Sequence, residues 1–319
     1  MKRSGYYLTM NGIFIRDYLT RNGVKKQKKM NILVTGGAGF VGSNLIGRLL
    51  ELYPKSTIVS VDNYFTGKIS NHHSGASYLQ MSVKEYLEKP SSFVPDVVFH
   101  FGEYSRIVTS FEDIDYLIET NLYSTSLLIE KCKQWGAKFV YSASSSKFGN
   151  GGKDENLSPY AWVKAKMVEL IKNYGEWFGL KYEIVYFYNV YGPGQIESGD
   201  YATVIGIFER QYREGEPLTV VSPGTQQRDF THIEDIVEGT ILASQKDLNH
   251  EWYLRKGEPK TIIEIADTFG NWTLVEQRRG ERITADVVEN DTEELLNWKP
   301  KHRVEDYIRK VKKQYDELG

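Results

Sequence analysis

The chain has 319 residues, 40% hydrophobic and 26% charged, enough to bury the core of one large domain or of two closely packed ones. A formal net charge of -2 gives no global field for nucleic acid or an anionic membrane, and a single cysteine, Cys132, excludes an internal disulfide and fits the cytoplasm. No stretch approaches the roughly 20 uncharged apolar residues of a membrane helix.

The first thirty residues carry eight Lys or Arg and one acid, Asp17. They lack the apolar stretch and cleavage site of a secretory signal, and the lysine cluster "KKQKK" makes a poor amphipathic helix. Residues 1–29 are therefore read as a basic extension upstream of a start at Met30, with a transit peptide as the other reading. From residue 31 the pattern alternates. "NILVT" is an apolar strand followed by glycines and a helix with Val41, Leu45, Leu49, Leu50 and Tyr53 at spacings of three and four. Strands follow at 57–62, "TIVSVD", and 96–101, "DVVFHF". A second helix places Ile118, Leu122, Thr125, Ile129 and Cys132 on one face. "KFVYSA", residues 138–143, is a strand, and the next helix presents Val163, Met167, Leu170, Tyr174 and Phe178. "YEIVYFYN", residues 182–189, closes the series. Uninterrupted apolar strands between amphipathic helices predict a parallel sheet covered on both faces, a doubly wound α/β domain over residues 30–195. After "YGPG" the strands shorten and helical patterns return at 260–269, 290–297 and 303–316. Residues 196–319 are expected to form a smaller substrate-facing α/β domain, with part of 215–247 returning to the first.

Gly36, Gly39 and Gly42 fall between the first strand and the first helix. Glycine there allows a tight turn and lets backbone N–H groups and the helix N-terminus meet a diphosphate. Asp62 ends the next strand, placed to accept hydrogen bonds from the hydroxyls of an adenosine ribose and to repel a 2′-phosphate. No arginine follows it in "DNYFTGK", which favours NAD over NADP.

In "LSPYAWVK", Tyr160 and Lys164 lie one helical turn apart on one face. An alcohol oxidised by hydride transfer must lose its hydroxyl proton, and tyrosine, with a reference pKa near 10, needs help to accept it. A lysine charge beside the phenol supplies that help. A serine at a neighbouring strand end would bond the reacting oxygen. Ser144 fits, five residues before Gly149, and Ser145 and Ser146 remain rivals.

The motifs "TGGAGFVG", "YSASSSKFGN", "PYAWVK", "YNVYGPGQ" and "RDFTHIEDIVEG" occur in the order and approximate spacing of the extended short-chain dehydrogenase/reductase family. More narrowly, residues 31–310 resemble its NAD-dependent nucleotide-sugar epimerase/dehydratase group. The resemblance implies a Rossmann domain for NAD and a smaller domain for a nucleoside-diphosphate sugar. It places Gly36, Gly39, Phe40, Val41, Gly42, Asp62, Asn63, Phe101, Gly102, Asn121, Tyr160 and Lys164 around the cofactor. Ser105, Ser144, Asn189, Arg228 and Arg278 fall on the substrate side, the arginines suited to phosphate by their planar fork. It also implies a homodimer through a four-helix bundle made by segments near 116–133 and 158–179. No cluster has metal-ligand spacing, and His100 and His232 read as structural.

Dehydratases of the group carry an acid pair just after the catalytic hydroxyl, and decarboxylating relatives carry a glutamate there. Ser145, Ser146 and Lys147 stand in those places, which disfavours elimination and leaves an epimerase acting at C4 as the first reading. The alternatives are a nucleotide-sugar C4 dehydrogenase (heptoses included), a heptose epimerase and a 4,6-dehydratase. Two positions depart from the group. Its usual His-x-Ala-Ala run is His100, Phe101, Gly102, Glu103, so Glu103 is either a specific contact or an additional acid/base near cofactor and sugar, or a solvated loop acid. Ser82 stands where an aspartate commonly contacts adenine.

Overall fold

A computed structural model describes residues 29–148, 156–277, 283–284, 288 and 290–317. Residues 1–28 of the basic extension and Arg278 lie outside these residues. Seven parallel strands form the central sheet: β1 (Asn31–Thr35), β2 (Thr57–Asp62), β3 (Ser77–Gln80), β4 (Val97–His100), β5 (Lys138–Ser144), β6 (Tyr182–Phe187) and β7 (Glu251–Leu254), in the order β7-β6-β5-β4-β1-β2-β3. Ile32, Leu33 and Val34 are wholly buried, as are all four residues of β4, because helices cover both faces. On one face lie α1 (Phe40–Leu52) and α6 (Ile233–Ser244). On the other lie α2 (Val83–Glu88), a helical run ending in α3 (Thr125–Trp135), and α4 (Pro159–Phe178). Between β2 and α2, Ser82 and Glu85 cap each other reciprocally, so Ser82 is spent on starting a helix.

Strand order reverses between β1 and β4, and their carboxyl ends open the crevice where doubly wound sheets bind ligands. The smaller body packs α5 (Val204–Glu214), α7 (Ile262–Phe269) and α8 (Val304–Asp316) around a two-stranded parallel sheet, Leu218–Val221 with Trp272–Val275. Residues 218–221 belong to the smaller body, and the chain rejoins the large one over Ile233–Leu254, adding β7 beside β6. Strand β7 is short and half polar, which hid it from an apolar-run reading.

The run before α3 also departs from the expected face. Residues Ile118–Ser124 take the wider π-helical turn, so Leu117, Asn121, Ser124 and Leu128 point inward while Ile118 and Leu122 are only half-buried. In α4, Val163, Met167 and Ile171 are buried as a stripe, and Phe178 is 52% exposed instead of joining them. Cys132 is wholly buried between α3 and the sheet, and burial pushes its thiol up.

Candidate active site

A cavity of about 770 Å³ opens over the crevice and runs between the two bodies. Its floor begins at the glycine loop. Gly36 has φ +71, and a Cβ there would stand 2.7 Å from the backbone nitrogen of Gly102. A Cβ on Gly42 would stand 2.2 Å from the Gly36 carbonyl oxygen, so this turn admits nothing larger. No side chain caps the N-terminus of α1, and its first turn holds no acid. Gly39, Phe40, Val41 and Gly42 line the cavity there. That combination suits a diphosphate.

Asp62, at the end of β2, also lines the cavity. Its Oδ2 accepts from Ala38 N at 2.9 Å and its Oδ1 from Tyr64 N at 2.8 Å. The carboxylate is thus aimed by the glycine loop and the next turn, and its remaining lone pairs suit ribose hydroxyls. Asn63 lies beside it and donates to Tyr116 Oη at 2.8 Å. The glycine loop, the uncapped helix and the fixed acid fit NAD.

Loop 101–106 follows β4. Phe101, Gly102, Glu103 and Ser105 line the cavity, whereas Asn121 does not. Asn121 is wholly buried; its Oδ1 accepts from Tyr104 N at 2.7 Å and its Nδ2 donates to Tyr104 O at 2.8 Å. Its work is to fix this loop from behind, through the π turn. Arg106 reaches from the loop to the carbonyls of Asp200 and Ala202 in the smaller body and lies over the Tyr201 ring. Phe65 and Tyr104 pack edge-on to the same ring at 5.2 and 5.7 Å.

Helix α4 starts sharply because Ser158 accepts from Ala161 N at 3.1 Å and Pro159 opens the first turn. Tyr160 and Lys164 follow on its cavity side, 8% and 5% exposed. Ser144, Ser145 and Ser146 all line the cavity opposite. Ser144 Oγ accepts from Ser146 Oγ at 2.9 Å and from Ser146 N at 3.3 Å, so its own proton is directed elsewhere. Asn189 and Arg228 line the far side, with Arg228 Nη1 donating to Gln227 O at 2.7 Å. One cavity therefore gathers every expected site residue that is described, except Asn121.

Lys164 is ion-paired with Glu103, whose side chain is 2% exposed, and also donates to the Ser142 carbonyl. Its ammonium sits 4.6 Å from the centre of the Tyr141 ring. Glu103 Oε1 accepts from Thr125 Oγ1 at 3.1 Å and from Tyr141 Oη at 3.2 Å. Behind it, Phe101 and Gly102 donate their N–H groups to Thr35 Oγ1, which leaves the Thr35 proton for His100 Nδ1 at 2.6 Å. His100 Nε2–H then faces Thr125 Oγ1 at 2.8 Å. Burial holds His100 down to about 3, so the ring is neutral and this tautomer is fixed by its partners. Each proton in the chain points toward Glu103. Burial raises the carboxyl and the Lys164 charge opposes that; with donors on both oxygens and no acceptor facing it, we assign a carboxylate.

Glu103 was open to two readings in sequence and is neither a solvated acid nor a free acid at the cavity surface. Polar residues at the ends of otherwise apolar strands, Thr35, His100 and Ser142, were the available signal for this network.

Elsewhere, one trio among the described residues, His232, Glu234 and His302, brings ligand-type atoms within 4.8 Å. His232 Nδ1 accepts from Glu234 N at 3.3 Å as the cap of α6, which puts the ring proton on Nε2 and turns that nitrogen into a donor. The nitrogens of His302 lie 3.0 and 3.2 Å from Asp235 and Glu234. Within this trio His232 caps α6, and the His302 ring lies beside the Glu234 carboxylate.

The family model for "NAD dependent epimerase/dehydratase family" matches residues 32–254, from β1 through β7. The chain belongs to this family. It is 31% identical over 290 residues to a UDP-N-acetyl-alpha-D-glucosaminuronate decarboxylase of Bacillus cytotoxicus, covering 85% of this chain and 89% of the relative. Among solved structures it is similar to a UDP-glucose 4-epimerase of Thermotoga maritima with UDP-glucose, at TM-score 0.84 and 26% identity over 91% of this chain and 99% of that one. It is also similar to a UDP-glucose 4-epimerase of Thermus thermophilus in complex with NAD, at TM-score 0.80 and 27% identity over 90% and 99%. The family's cofactor is NAD, for which the glycine loop, α1 and Asp62 are built.

Proposed function

We propose that this family member is an NAD-dependent epimerase of a nucleoside-diphosphate sugar, acting at C4. NAD, when bound, supplies the acceptor and later the donor of a hydride. The chain's own residues do the rest. Tyr160 takes the proton of the sugar hydroxyl, Lys164 supports its phenolate, and Ser144 bonds the reacting oxygen. Asn189, just after β6, contacts the sugar diphosphate, and Arg228 from the smaller body, with Arg278, holds phosphate or ribose. Relatives include both a decarboxylase and epimerases, so the observation that carries the choice is the disposition of acids. Among the described residues lining the cavity, the acids are Asp62, Glu103 and Asp200. Asp62 is held at the ribose end, Asp200 is exposed on the outer loop, and Glu103 is paired with Lys164. Beside Ser144 in the sequence stand Ser145, Ser146 and Lys147, and the described lining of the cavity offers no unpaired carboxyl there to act as general acid on the sugar. Proton abstraction and return need none.

Purified protein incubated with UDP-, GDP- and CDP-sugars tests this. Interconversion of C4 epimers without net NADH is expected, and Tyr160→Phe should lower kcat by about 10²-fold or more. Accumulating NADH would make it a dehydrogenase, loss of the sugar carboxylate a decarboxylase, and wild-type activity in Tyr160→Phe would sink the mechanism.

We further propose a homodimer through the helical run at 114–135 and α4. Ile114, Tyr123, Trp162 and Trp177 on these helices are 48%, 50%, 40% and 60% exposed, an apolar set that two copies would cover. The one thiol, buried and unpaired, suits a cytoplasmic setting.

A further inference from the structure

We infer that Glu103 is a positioning residue whose carboxylate, acting through Lys164, sets the pH at which Tyr160 becomes a base. This rests on the reading of Tyr160 as the base. A lone lysine charge beside a phenol favours the phenolate. Here that charge is shared. Lys164 already faces a buried carboxylate, and the pair together is neutral. Lys164 lies one helical turn from Tyr160 on α4, so on this reading the phenol faces an ammonium partly cancelled by Glu103, and its phenolate forms at higher pH than beside the same lysine without Glu103.

The pair is built, not incidental. Thr125 and Tyr141 donate to the carboxylate, His100 fixes Thr125, and the Ser142 carbonyl fixes the ammonium. Asn121 and Thr35 hold the backbone of the loop that carries Glu103. The surroundings leave few groups to blur the effect. His100 at the end of β4 stays neutral, and Tyr141 of β5, backed by Tyr186 of β6, is kept protonated by burial and by Glu103. The helical run contributes the uncharged Thr125. Tyr160 and Lys164 are the ionisable groups that α4 brings to this end of the cavity.

The test is a tyrosinate ultraviolet titration of the full chain, run with and without added NAD. The difference between wild type and Tyr160→Phe isolates the Tyr160 step among the 22 tyrosines of the sequence. In Glu103→Gln the amide can still accept from Lys164, but the counter-charge is gone, and the step should move to lower pH by roughly one unit. Glu103→Asp, which keeps the charge, should leave the step at its wild-type position. Thermal melting and NAD titration check that each variant is folded, with Glu103→Ala as the second neutral variant. A Tyr160 step that stays in place in a folded neutral variant overturns the proposal and leaves the base reading standing. A step moving to higher pH also overturns it, because Glu103 would then serve to keep Lys164 charged. Identical wild-type and Tyr160→Phe titrations would remove the base reading itself.

Discussion

His100 and His232 carry the clearest pH signature at the scale of single residues. Burial holds them down to about 3 and about 4 in the folded chain, against about 6.5 when unfolded. Between those values the unfolded state binds a proton that the native state refuses. Their contribution is whole above about 6.5 and is lost as pH falls toward 4 and then 3. Lowering pH from 7.5 to 5 should cost about 2 kcal/mol per histidine, read from urea midpoints, and His100→Gln should flatten that slope. Asp62, Tyr160 and Lys164 were legible in sequence because each sits at a fixed offset from a strand or helix signal. Glu103 was not, because its role depends on Thr125, Tyr141 and Lys164, which only the fold brings together. Asn121, whose sequence readings were an orderer of water or backbone near the nicotinamide and a plain polar helix residue, spends its amide on the Tyr104 backbone.

Elements show the same division. The glycine turn between β1 and α1 was readable because backbone approach demands it. Gly42→Ala would drive a methyl against the Gly36 carbonyl at 2.2 Å, and NAD affinity by fluorescence titration should fall at least about tenfold as the turn moves. Strand β7 was not readable from its own residues. It is held by a buried acid on its neighbour: Glu183 accepts from Leu248 N at 2.9 Å, His250 N at 3.2 Å and Trp252 Nε1 at 2.7 Å. Glu183→Gln keeps the shape but not the charge, and one amide oxygen must serve donors that two carboxylate oxygens now share. It should cost about 1–3 kcal/mol in a denaturant titration. The π turn at Ile118–Ser124 explains the mistaken helix face, since one added residue per turn rotates everything before it relative to α3.

For the molecule as a whole, the proposed dimer makes a direct prediction. Trp162→Glu on α4 should leave the cavity intact and convert a dimer to a monomer by analytical ultracentrifugation, while a wild-type monomer at micromolar concentration would end that proposal. From the sequence the change of texture after residue 194 suggests a second body, with part of 215–247 returning to the first; the strand that ends that return, Glu251–Leu254, leaves no local mark because it is a parallel strand added at the sheet edge. The single cysteine gives this layout a practical use. Cys132 is sealed between α3 and the sheet at 0% exposure and is the only thiol in the sequence. A thiol reagent can reach it only when that layer parts, so the labelling rate is a built-in clock for opening of the large body. Ligands that slow this clock must bind the closed form, and screening candidate sugars by the delay requires no turnover and no guess about the product.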